Sequence, residues 1–428
     1  MNIEALYQTY LQYPSIQTDT RKIESGDLFF ALKGANFDGN QFAKEAIDKG
    51  AAYAIIDDAA FSIAEKTILV QDSLQTLQLL AKHHRLQFTI PFIAITGSNG
   101  KTTTKELTHA VLATSFKTYT TEGNLNNHIG VPLTILKIKP DAEFAVIEMG
   151  ANHLQEIASY CQIATPTHGL ITNCGKAHLE GFGSEENVRK AKGELFDFLR
   201  HYNGGAFAMW DYKYLQELSK GIQTIYKYGT HDADIVGNVW KNDPFLEVNF
   251  TKSFIGKIKT NLVGSYNLPN VLAAVAVGKY FKIEDGKIKE AIEAYLPSNS
   301  RSQLLQKGTN KIILDAYNAN PSSMNFAIEN FSAMEGENKT LVLGSMAELG
   351  EESLKEHQFI LDKIKGHKWK NVLLVGGDFE RLDHPFLRFS SATKAGEWLK
   401  QKNIKNSFVL IKGSRSTQME KVLDYLED

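Results

Sequence analysis

A glycine-rich loop near residue 100 carries the residue types that bind nucleotide phosphates. Residues 93–104 read IAITGSNGKTTT, so an apolar strand runs into a turn and then into a helix. Glycines let backbone N–H groups approach phosphate oxygens, and a helix N-terminus adds partial positive charge. A lysine at the helix start can reach the terminal phosphates, and the next threonine can offer its hydroxyl to Mg²⁺. We therefore predict a nucleoside triphosphate site made by Gly97, Ser98, Asn99, Gly100, Lys101, Thr102 and Thr103.

The loop departs from the strict phosphate-loop pattern G-x-x-x-x-G-K-[ST] at one position, because Ile95 stands where the first glycine belongs. The alternative interpretation is a glycine-rich strand-to-helix turn with a lysine placed by chance. Strand, turn and helix follow one another in the order that phosphate binding requires, which favours the nucleotide site.

Polar residues at two further strand ends could complete this site. Glu148 follows the apolar strand 144–147, and ligands of open α/β sheets bind at the carboxyl ends of strands. A carboxylate there suits Mg²⁺, although a solvated strand-end glutamate is an equal alternative. His178 lies on the loop after the strand 169–172, where the residues alone favour an ordinary loop histidine over a metal ligand. Lys192, in a helix capped by Ser184, reads by itself as a surface lysine.

Composition excludes several classes of protein. Lys and Arg total 47 against 49 Asp and Glu, which argues against a nucleic-acid-coating protein. Two cysteines, Cys161 and Cys174, exclude a disulfide scaffold and a structural zinc site, and we interpret Cys174 as a packing residue. The adjacent His83 and His84 are interpreted as a helix surface. The N-terminal residues show no signal peptide, and no apolar run is long enough to span a membrane, so we expect a cytoplasmic protein.

The elements that must position these residues fall into three blocks. The length of 428 residues predicts about three domains, with boundaries at residues 1–88, 89–300 and 301–428. The second block alternates strands and helices from the glycine-rich loop onward and then becomes an alternating, antiparallel stretch at 233–263. The third block alternates strands and helices again. The predicted fold class is therefore α/β, with a doubly wound central domain.

Motifs in all three blocks resemble those of the Mur ligases of bacterial cell-wall synthesis. Their order along the chain makes the resemblance more specific than any single motif. They are TDTRKIESGDLFFALKGANFDGNQF, TGSNGKTTTKE, TEGNLNNHIGVPLT, IEMGANHLQEI, NCGKAHLEGFGS, GSYNLPNVLAA, DAYNANPSSM, LGSMAELGEES and KGSR. The resemblance implies an N-terminal UDP-muramyl-binding domain, a central P-loop ATPase domain and a C-terminal, Rossmann-like ligase domain that closes over ATP.

The resemblance also assigns residues to roles. It implies Lys101, Glu148, His178, Lys192 and Arg301 as catalytic residues, with Thr102, Glu148 and His178 at two Mg²⁺ ions. Lys192 matches a position that is carbamylated in some sister ligases. On the adenine and ribose side the implied residues are Asn267, Asn270, Arg301 and Asp315. The uridine end matches Thr18, Thr20 and Arg21, and the muramyl loop matches Asn124, Asn126 and Asn127.

Within this family, the motifs are most similar to those of members that join D-alanyl-D-alanine to UDP-N-acetylmuramoyl-tripeptide using ATP. The DNPR box of the diaminopimelate-adding sister enzymes is absent from the sequence. The resemblance implies an acyl-phosphate intermediate and a monomer. The alternatives are a sister amino-acid ligase, including a folylpolyglutamate-type ligase, a kinase that uses the same loop, and a binding protein with a decayed site.

Overall fold

The computed structural model describes residues 2–298 and 300–426. Three sheets, each built from its own stretch of chain, form three units: N-terminal (2–85), central (92–298) and C-terminal (300–426). The predicted α/β fold class is confirmed. The predicted domain boundaries stay a prediction.

The N-terminal unit is a four-stranded parallel sheet in the order β1-β2-β5-β6. Its elements are α1 (Ile3–Gln12), β1 (Ile16–Gln17), β2 (Leu28–Phe30), β3 (Lys33–Gly34), β4 (Phe37–Asp38), α2 (Ala43–Asp48), β5 (Tyr53–Ile56), β6 (Thr67–Leu69) and α3 (Ser73–Arg85). Beyond β2, the carbonyl oxygen of Leu32 accepts from the N–H of Gly39, and the chain turns into the hairpin β3–β4.

The central unit is a nine-stranded sheet in the order β15-β14-β13-β12-β11-β10-β7-β9-β8. Its elements are β7 (Phe92–Thr96), α4 (Lys101–Ala113), β8 (Thr118–Thr120), α5 (Gly130–Leu136), β9 (Phe144–Glu148), α6 (Glu156–Ala164), β10 (His168–Ile171), α7 (Leu179–Phe182), α8 (Glu185–His201), β11 (Gly205–Met209), α9 (Lys213–Leu218), β12 (Thr224–Gly229), β13 (Ile235–Asn242), β14 (Leu246–Lys252), β15 (Phe254–Lys259), α10 (Leu268–Tyr280) and α11 (Asp285–Ala294). The antiparallel stretch is confirmed, and it continues the parallel sheet through β12 and β13.

The C-terminal unit is a six-stranded sheet in the order β16-β17-β21-β18-β19-β20, parallel except for the hairpin β16–β17. Its elements are β16 (Gln303–Lys307), β17 (Asn310–Asp315), α12 (Pro321–Ala333), β18 (Thr340–Gly344), α13 (Ser353–Lys365), β19 (Asn371–Val375), β20 (Leu387–Phe389), α14 (Ala392–Gln401) and β21 (Phe408–Lys412). Separate apolar clusters pack on its two faces.

Short 3₁₀ helices connect several elements. They lie at Thr20–Lys22, Gly39–Phe42, Ala59–Phe61, Ser265–Asn267, Gly350–Glu352, Gly377–Glu380, Arg415–Thr417 and Met419–Tyr425. Among all the helices that the described residues form, none has both the length and the apolar composition needed to cross a bilayer.

His84, at the end of α3, joins the N-terminal unit to the central unit. The Tyr7 hydroxyl lies 3.0 Å from Nδ1 of His84, and Nε2 of His84 lies 2.8 Å from the carbonyl oxygen of Ile138. Because a carbonyl oxygen only accepts, Nε2 donates and Nδ1 accepts from the Tyr7 hydroxyl. His84 is only 4% exposed, so its interpretation as a surface residue was wrong. Tertiary packing of α1 and α5 against α3 buries a side chain that looks polar in sequence.

Arg85 strengthens the same junction. Its guanidinium donates to the carbonyl oxygens of Ala164 and Thr165, at 2.8 and 3.0 Å, and lies 3.7 Å from the ring centroid of Phe92. One apolar cluster runs through the junction from α1 and β2 into the central sheet. The N-terminal and central units therefore share a core, and the C-terminal unit has its own.

Candidate active site

The glycine-rich loop joins β7 to α4 at the carboxyl edge of the central sheet. Gly97 and Gly100 have φ of 145° and 78°, in the region that favours glycine. A Cβ on Gly97 would lie 2.0 Å from Oγ1 of Thr172, and one on Gly100 would lie 2.6 Å from Oδ1 of Asn270. Backbone N–H groups of the loop also donate to Asn173, at the end of β10. Both glycines are therefore required by conformation and by close packing.

Lys101 is the first residue of α4, and its amine lies back over the loop. Nζ donates to the carbonyl oxygens of Gly97 and Ser98, at 2.7 and 3.2 Å. Burial lowers the pKa of Lys101, while the carboxylates of Glu148 and Glu348 act to raise it. The amine is thus held at the mouth of the loop with two carboxylates near it.

Glu148 ends β9 and is 1% exposed. Its Oε1 accepts a hydrogen bond from Nδ2 of Asn126 at 2.8 Å, and its backbone N–H donates to Thr121. Its Oε2 is buried and has no hydrogen-bond partner among the residues described. A buried carboxylate oxygen without a partner is costly, so this atom is suited to a bound cation.

His178 is the N-cap residue of the short helix α7 and has a left-handed backbone, φ 52°. Its Nδ1 contacts the Oε2 of Glu348, which belongs to the C-terminal unit. This contact holds the pKa of the Glu348 carboxyl below its usual value. The predicted metal-site histidine therefore already has a carboxylate partner from another part of the chain.

The predicted adenine-side residues Asn267 and Asn270 are both buried. Nδ2 of Asn270 donates to Oδ1 of Asn267 at 2.8 Å, and Oδ1 of Asn270 accepts from the hydroxyl of Thr104 at 3.0 Å. Because Asn270 also packs against Gly100, it braces the phosphate loop from α10.

Arg301 and Asp315 face the loop from the C-terminal side. The Arg301 guanidinium carbon lies 3.6 Å from the ring centroid of Tyr317. Oδ2 of Asp315 accepts from Nζ of Lys412 at 2.6 Å, and Oδ1 accepts from the backbone N–H of Ser302 at 3.2 Å. Lys412 is 1% exposed, so Asp315 is held from within the fold.

Lys192 is buried in the structure, with 1% of the residue exposed, although its position in a helix predicts a surface lysine. Packing of α8 against α6 and β10 encloses it. Nζ donates to the carbonyl oxygen of Ala151 at 3.2 Å. Burial, with a smaller contribution from Lys101, lowers the pKa of Lys192 to about 7.

A cavity of about 1210 Å³ brings most of the predicted site residues together. The predicted residues that line it are Ser98, Asn99, Gly100, Lys101, Thr102, Thr103, Asn124, Asn126, Asn127, Glu148, His178, Asn267, Asn270, Arg301 and Asp315. The predicted residues outside this lining are Gly97, Lys192, Thr18, Thr20 and Arg21. Arg21 is instead paired with Asp19 on the surface of the N-terminal unit. The site roles of all these residues stay predictions.

Sequence reasoning missed two residues that hold site side chains. Glu348 contacts His178, and Lys412 holds Asp315. Both lie inside quoted motifs, LGSMAELGEES and KGSR, but nothing in their spacing indicated which side chain they meet.

The side chains of the site can be compared with the ligands that metal ions prefer. No group of three or more His, Cys, Asp or Glu side chains arranged to hold a metal ion occurs in the described part of the chain. Mg²⁺ typically takes one or two carboxylates together with phosphate oxygens and water. The unpaired Oε2 of Glu148 beside a phosphate loop fits that ion.

Comparison with known proteins places the chain in a family. Family profiles match three successive stretches: "Mur ligase family, catalytic domain" at 12–85, "Mur ligase middle domain" at 95–278, and "Mur ligase, glutamate ligase domain" at 300–415. The UDP-N-acetylmuramoyl-tripeptide–D-alanyl-D-alanine ligase of Bacillus subtilis (strain 168) is 33% identical over 422 residues, covering 95% of this chain and 92% of that protein. The enzyme of the same name from Escherichia coli (strain K12) is 34% identical, with 97% and 94% covered.

Solved structures agree with the sequence relatives. MurF from Acinetobacter baumannii superposes with a TM-score of 0.88 at 30% identity, covering 99% of this chain and 98% of the other. MurF from Thermotoga maritima, solved in complex with ADP, gives a TM-score of 0.86 at 27% identity, with 97% of each chain covered. The resemblance seen in the motifs is thereby confirmed, and the chain belongs to the Mur ligase family.

Proposed function

We propose that this chain joins D-alanyl-D-alanine to UDP-N-acetylmuramoyl-tripeptide at the expense of ATP, forming the UDP-muramyl-pentapeptide precursor of peptidoglycan. Near full-length similarity to ligases of that name supports the reaction and both substrates. The observation that carries the proposal is the single cavity in which the phosphate loop, Glu148 and residues of the C-terminal unit meet.

The first half of the reaction activates a carboxylate. The terminal carboxylate of the tripeptide is a poor electrophile, because its oxygen is a poor leaving group. Transfer of the γ-phosphoryl group of ATP to that oxygen breaks the bond to ADP and gives an acyl phosphate. Phosphoryl transfer depends mainly on positioning and charge neutralisation, which Lys101 of the central unit and Arg301 of the C-terminal unit, both lining the cavity, would supply.

The residues around the loop suit one or two Mg²⁺ ions. The Thr102 hydroxyl, Glu148 and His178 are the side chains that would hold them, with the unpaired Oε2 of Glu148 as the main ligand. When bound, Mg²⁺ neutralises phosphate charge in the transition state.

The second half of the reaction forms the amide bond. The amine of D-alanyl-D-alanine attacks the acyl carbon, phosphate leaves, and the attacking nitrogen loses a proton. The acyl phosphate hydrolyses readily, so water must be excluded while it exists. The C-terminal unit covers the loop, since Nδ2 of Asn320 donates to Oδ1 of Asn99 at 2.8 Å and the Lys176 N–H donates to the Ser322 hydroxyl at 3.2 Å.

For the substrate's other end we propose Thr18, Thr20 and Arg21 at the uridine and Asn124, Asn126 and Asn127 at the muramyl group. The muramyl-side residues line the cavity, and the uridine-side residues lie outside it in the N-terminal unit. Asn267, Asn270 and Asp315 are proposed to meet the adenosine. This arrangement supports a substrate that extends from the N-terminal unit into the cavity.

The proposal is tested by ADP release with Mg-ATP and UDP-N-acetylmuramoyl-tripeptide, measured with and without D-alanyl-D-alanine. We expect release to require both acceptor substrates and mass spectrometry to find the pentapeptide product. Turnover with a single amino acid in place of the dipeptide would instead identify a sister ligase. Absence of ADP release with every pairing would contradict ligase activity.

Variants show whether the turnover belongs to this site. Lys101→Ala and Glu148→Ala should each lower kcat by roughly 10²-fold or more, because each removes charge stabilisation from the transition state. Lys190→Ala is the matched control, since Lys190 lies on the surface of α8 and pairs with Glu186. Circular dichroism should find all three variants folded. Near-wild-type ADP release by Lys101→Ala or Glu148→Ala would contradict the assigned roles.

A further inference from the structure

The contact between His178 and Glu348 links the two sides of the cavity. Nδ1 of His178 meets the Glu348 carboxylate, and the backbone N–H of Glu180 donates to the carbonyl oxygen of Glu348 at 3.1 Å. Both His178 and Glu348 have left-handed backbones, with φ of 52° and 61°. The loop that follows β18 is therefore seated on the start of α7 by a side-chain contact and a backbone bond.

Glu348 also lies close to the phosphate-binding residues. Its carboxylate lines the same cavity as Glu148 and Lys101, and it acts on the charge of the Lys101 amine together with Glu148. The Glu348 side chain is 48% exposed and the His178 side chain 22% exposed, so the pair forms part of the cavity wall.

A second acid–base pair holds the same loop of the central unit. Nζ of Lys176 lies 2.6 Å from Oε1 of Glu356, which is on α13 and is only 2% exposed. In both pairs the basic residue comes from the loop after β10 and the acid from the C-terminal unit. Glu348 thus reaches His178 only when the C-terminal unit is seated on the central unit.

Histidines that bind metals usually donate their second ring nitrogen to a carboxylate, which fixes the orientation and basicity of the ring. We propose that Glu348 is a positioning residue of this kind: it holds the His178 ring through Nδ1, leaves Nε2 for the metal, and so makes assembly of the metal site depend on docking of the C-terminal unit. The inference rests on the proposed function only in taking His178 as a metal ligand.

Mn²⁺ binding in the presence of ADP, followed by electron paramagnetic resonance, tests the role without turnover. Glu348→Ala should weaken Mn²⁺ binding by roughly 10-fold or more. Glu348→Gln retains an oxygen that accepts from Nδ1–H and should stay within about 3-fold of wild type. In a His178→Ala background, Glu348→Ala should add nothing further, since its effect passes through His178.

Glu351→Ala is the matched control, because Glu351 is an exposed carboxylate in the 3₁₀ helix Gly350–Glu352 that follows the loop, and this variant should bind Mn²⁺ like wild type. Additive losses in the double variant, unchanged binding by Glu348→Ala, or a wild-type protein that binds no Mn²⁺ with ADP would each overturn the inference. Failure of the proposed reaction would give a different result. The acceptor substrates would then form no pentapeptide, although Mn²⁺ binding by the variants would still change as expected.

Discussion

The amine of Lys192 is buried, and no carboxylate of the described residues forms a hydrogen bond with it. Its hydrogen bond goes to a backbone carbonyl oxygen, that of Ala151. Burial makes the charged form costly and lowers the pKa to about 7. Near neutral pH the folded protein therefore holds this amine partly uncharged.

The lowered pKa of Lys192 predicts a pH-dependent stability. The amine of an unfolded lysine has a pKa of about 10.4, so between about pH 7 and 10 the unfolded chain binds more protons and the folded state gains stability as pH rises. Lys192→Met removes the buried amine and should raise the urea midpoint at pH 7, with a gain that shrinks towards pH 10. Lys190→Met, on the exposed side of the same helix, should show no such trend. If the gain in urea midpoint for Lys192→Met were the same at every pH, this result would contradict the lowered pKa of Lys192.

At the scale of elements, the loop between β7 and α4 is held as much by its neighbour α10 as by its own sequence. Asn270 of α10 bonds Thr104 and Asn267 and leaves no room for a side chain at Gly100. The conformation of the phosphate loop therefore depends on both α4 and α10, and the contact between these two helices is among the most extensive in the fold.

Gly100→Ala should therefore cost more than backbone strain alone. A left-handed backbone costs a non-glycine residue roughly 1–2 kcal/mol, and the new Cβ would also displace Asn270. Gly183→Ala isolates the strain, because Gly183 has φ of 73° but no atom within 4 Å of the added Cβ. We expect chemical denaturation to find the larger loss for Gly100→Ala, together with weaker ADP binding. Equal losses for the two variants would show that Asn270 does not brace the loop.

Local signals explain which parts of the site the sequence could predict. The phosphate loop is readable because strand, turn, lysine and helix are adjacent in sequence, and Glu148 because it ends an apolar strand. Glu348 and Lys412 are not readable, since their partners come from distant positions that only the fold brings near. Burial of Lys192 and His84 was missed for the same reason, because a helix surface looks the same in sequence until another helix covers it.

At the scale of the whole molecule, the units are joined by two different kinds of junction. A continuous apolar core and the buried His84 and Arg85 join the N-terminal and central units. The C-terminal unit has its own apolar clusters, and Leu179 and Val263 are the central-unit members of one of them. Hydrogen bonds and ion pairs, such as that between Lys176 and Glu356, make up much of this second junction.

Calorimetry should therefore resolve two unfolding transitions, the larger for the N-terminal and central units together. Arg85→Ala removes hydrogen bonds to Ala164, Phe88 and Thr165 and should destabilise the larger transition by about 2–4 kcal/mol while leaving the smaller one unchanged. Lys82→Ala, on the same helix, serves as the control. A single transition, or an equal shift of both by Arg85→Ala, would contradict this division.

The shared core of the N-terminal and central units also fixes the distance between residues on the two units. Because α3 packs against α5 and α6, the span from the residues proposed for the uridine end to Glu148 is set by the packing of the two units. A nucleotide-linked peptide anchored at one end must bring its last carboxylate to the other end of that span. We therefore expect a peptide one residue shorter than the tripeptide to place its carboxylate short of the phosphate loop, and a peptide one residue longer to fit poorly.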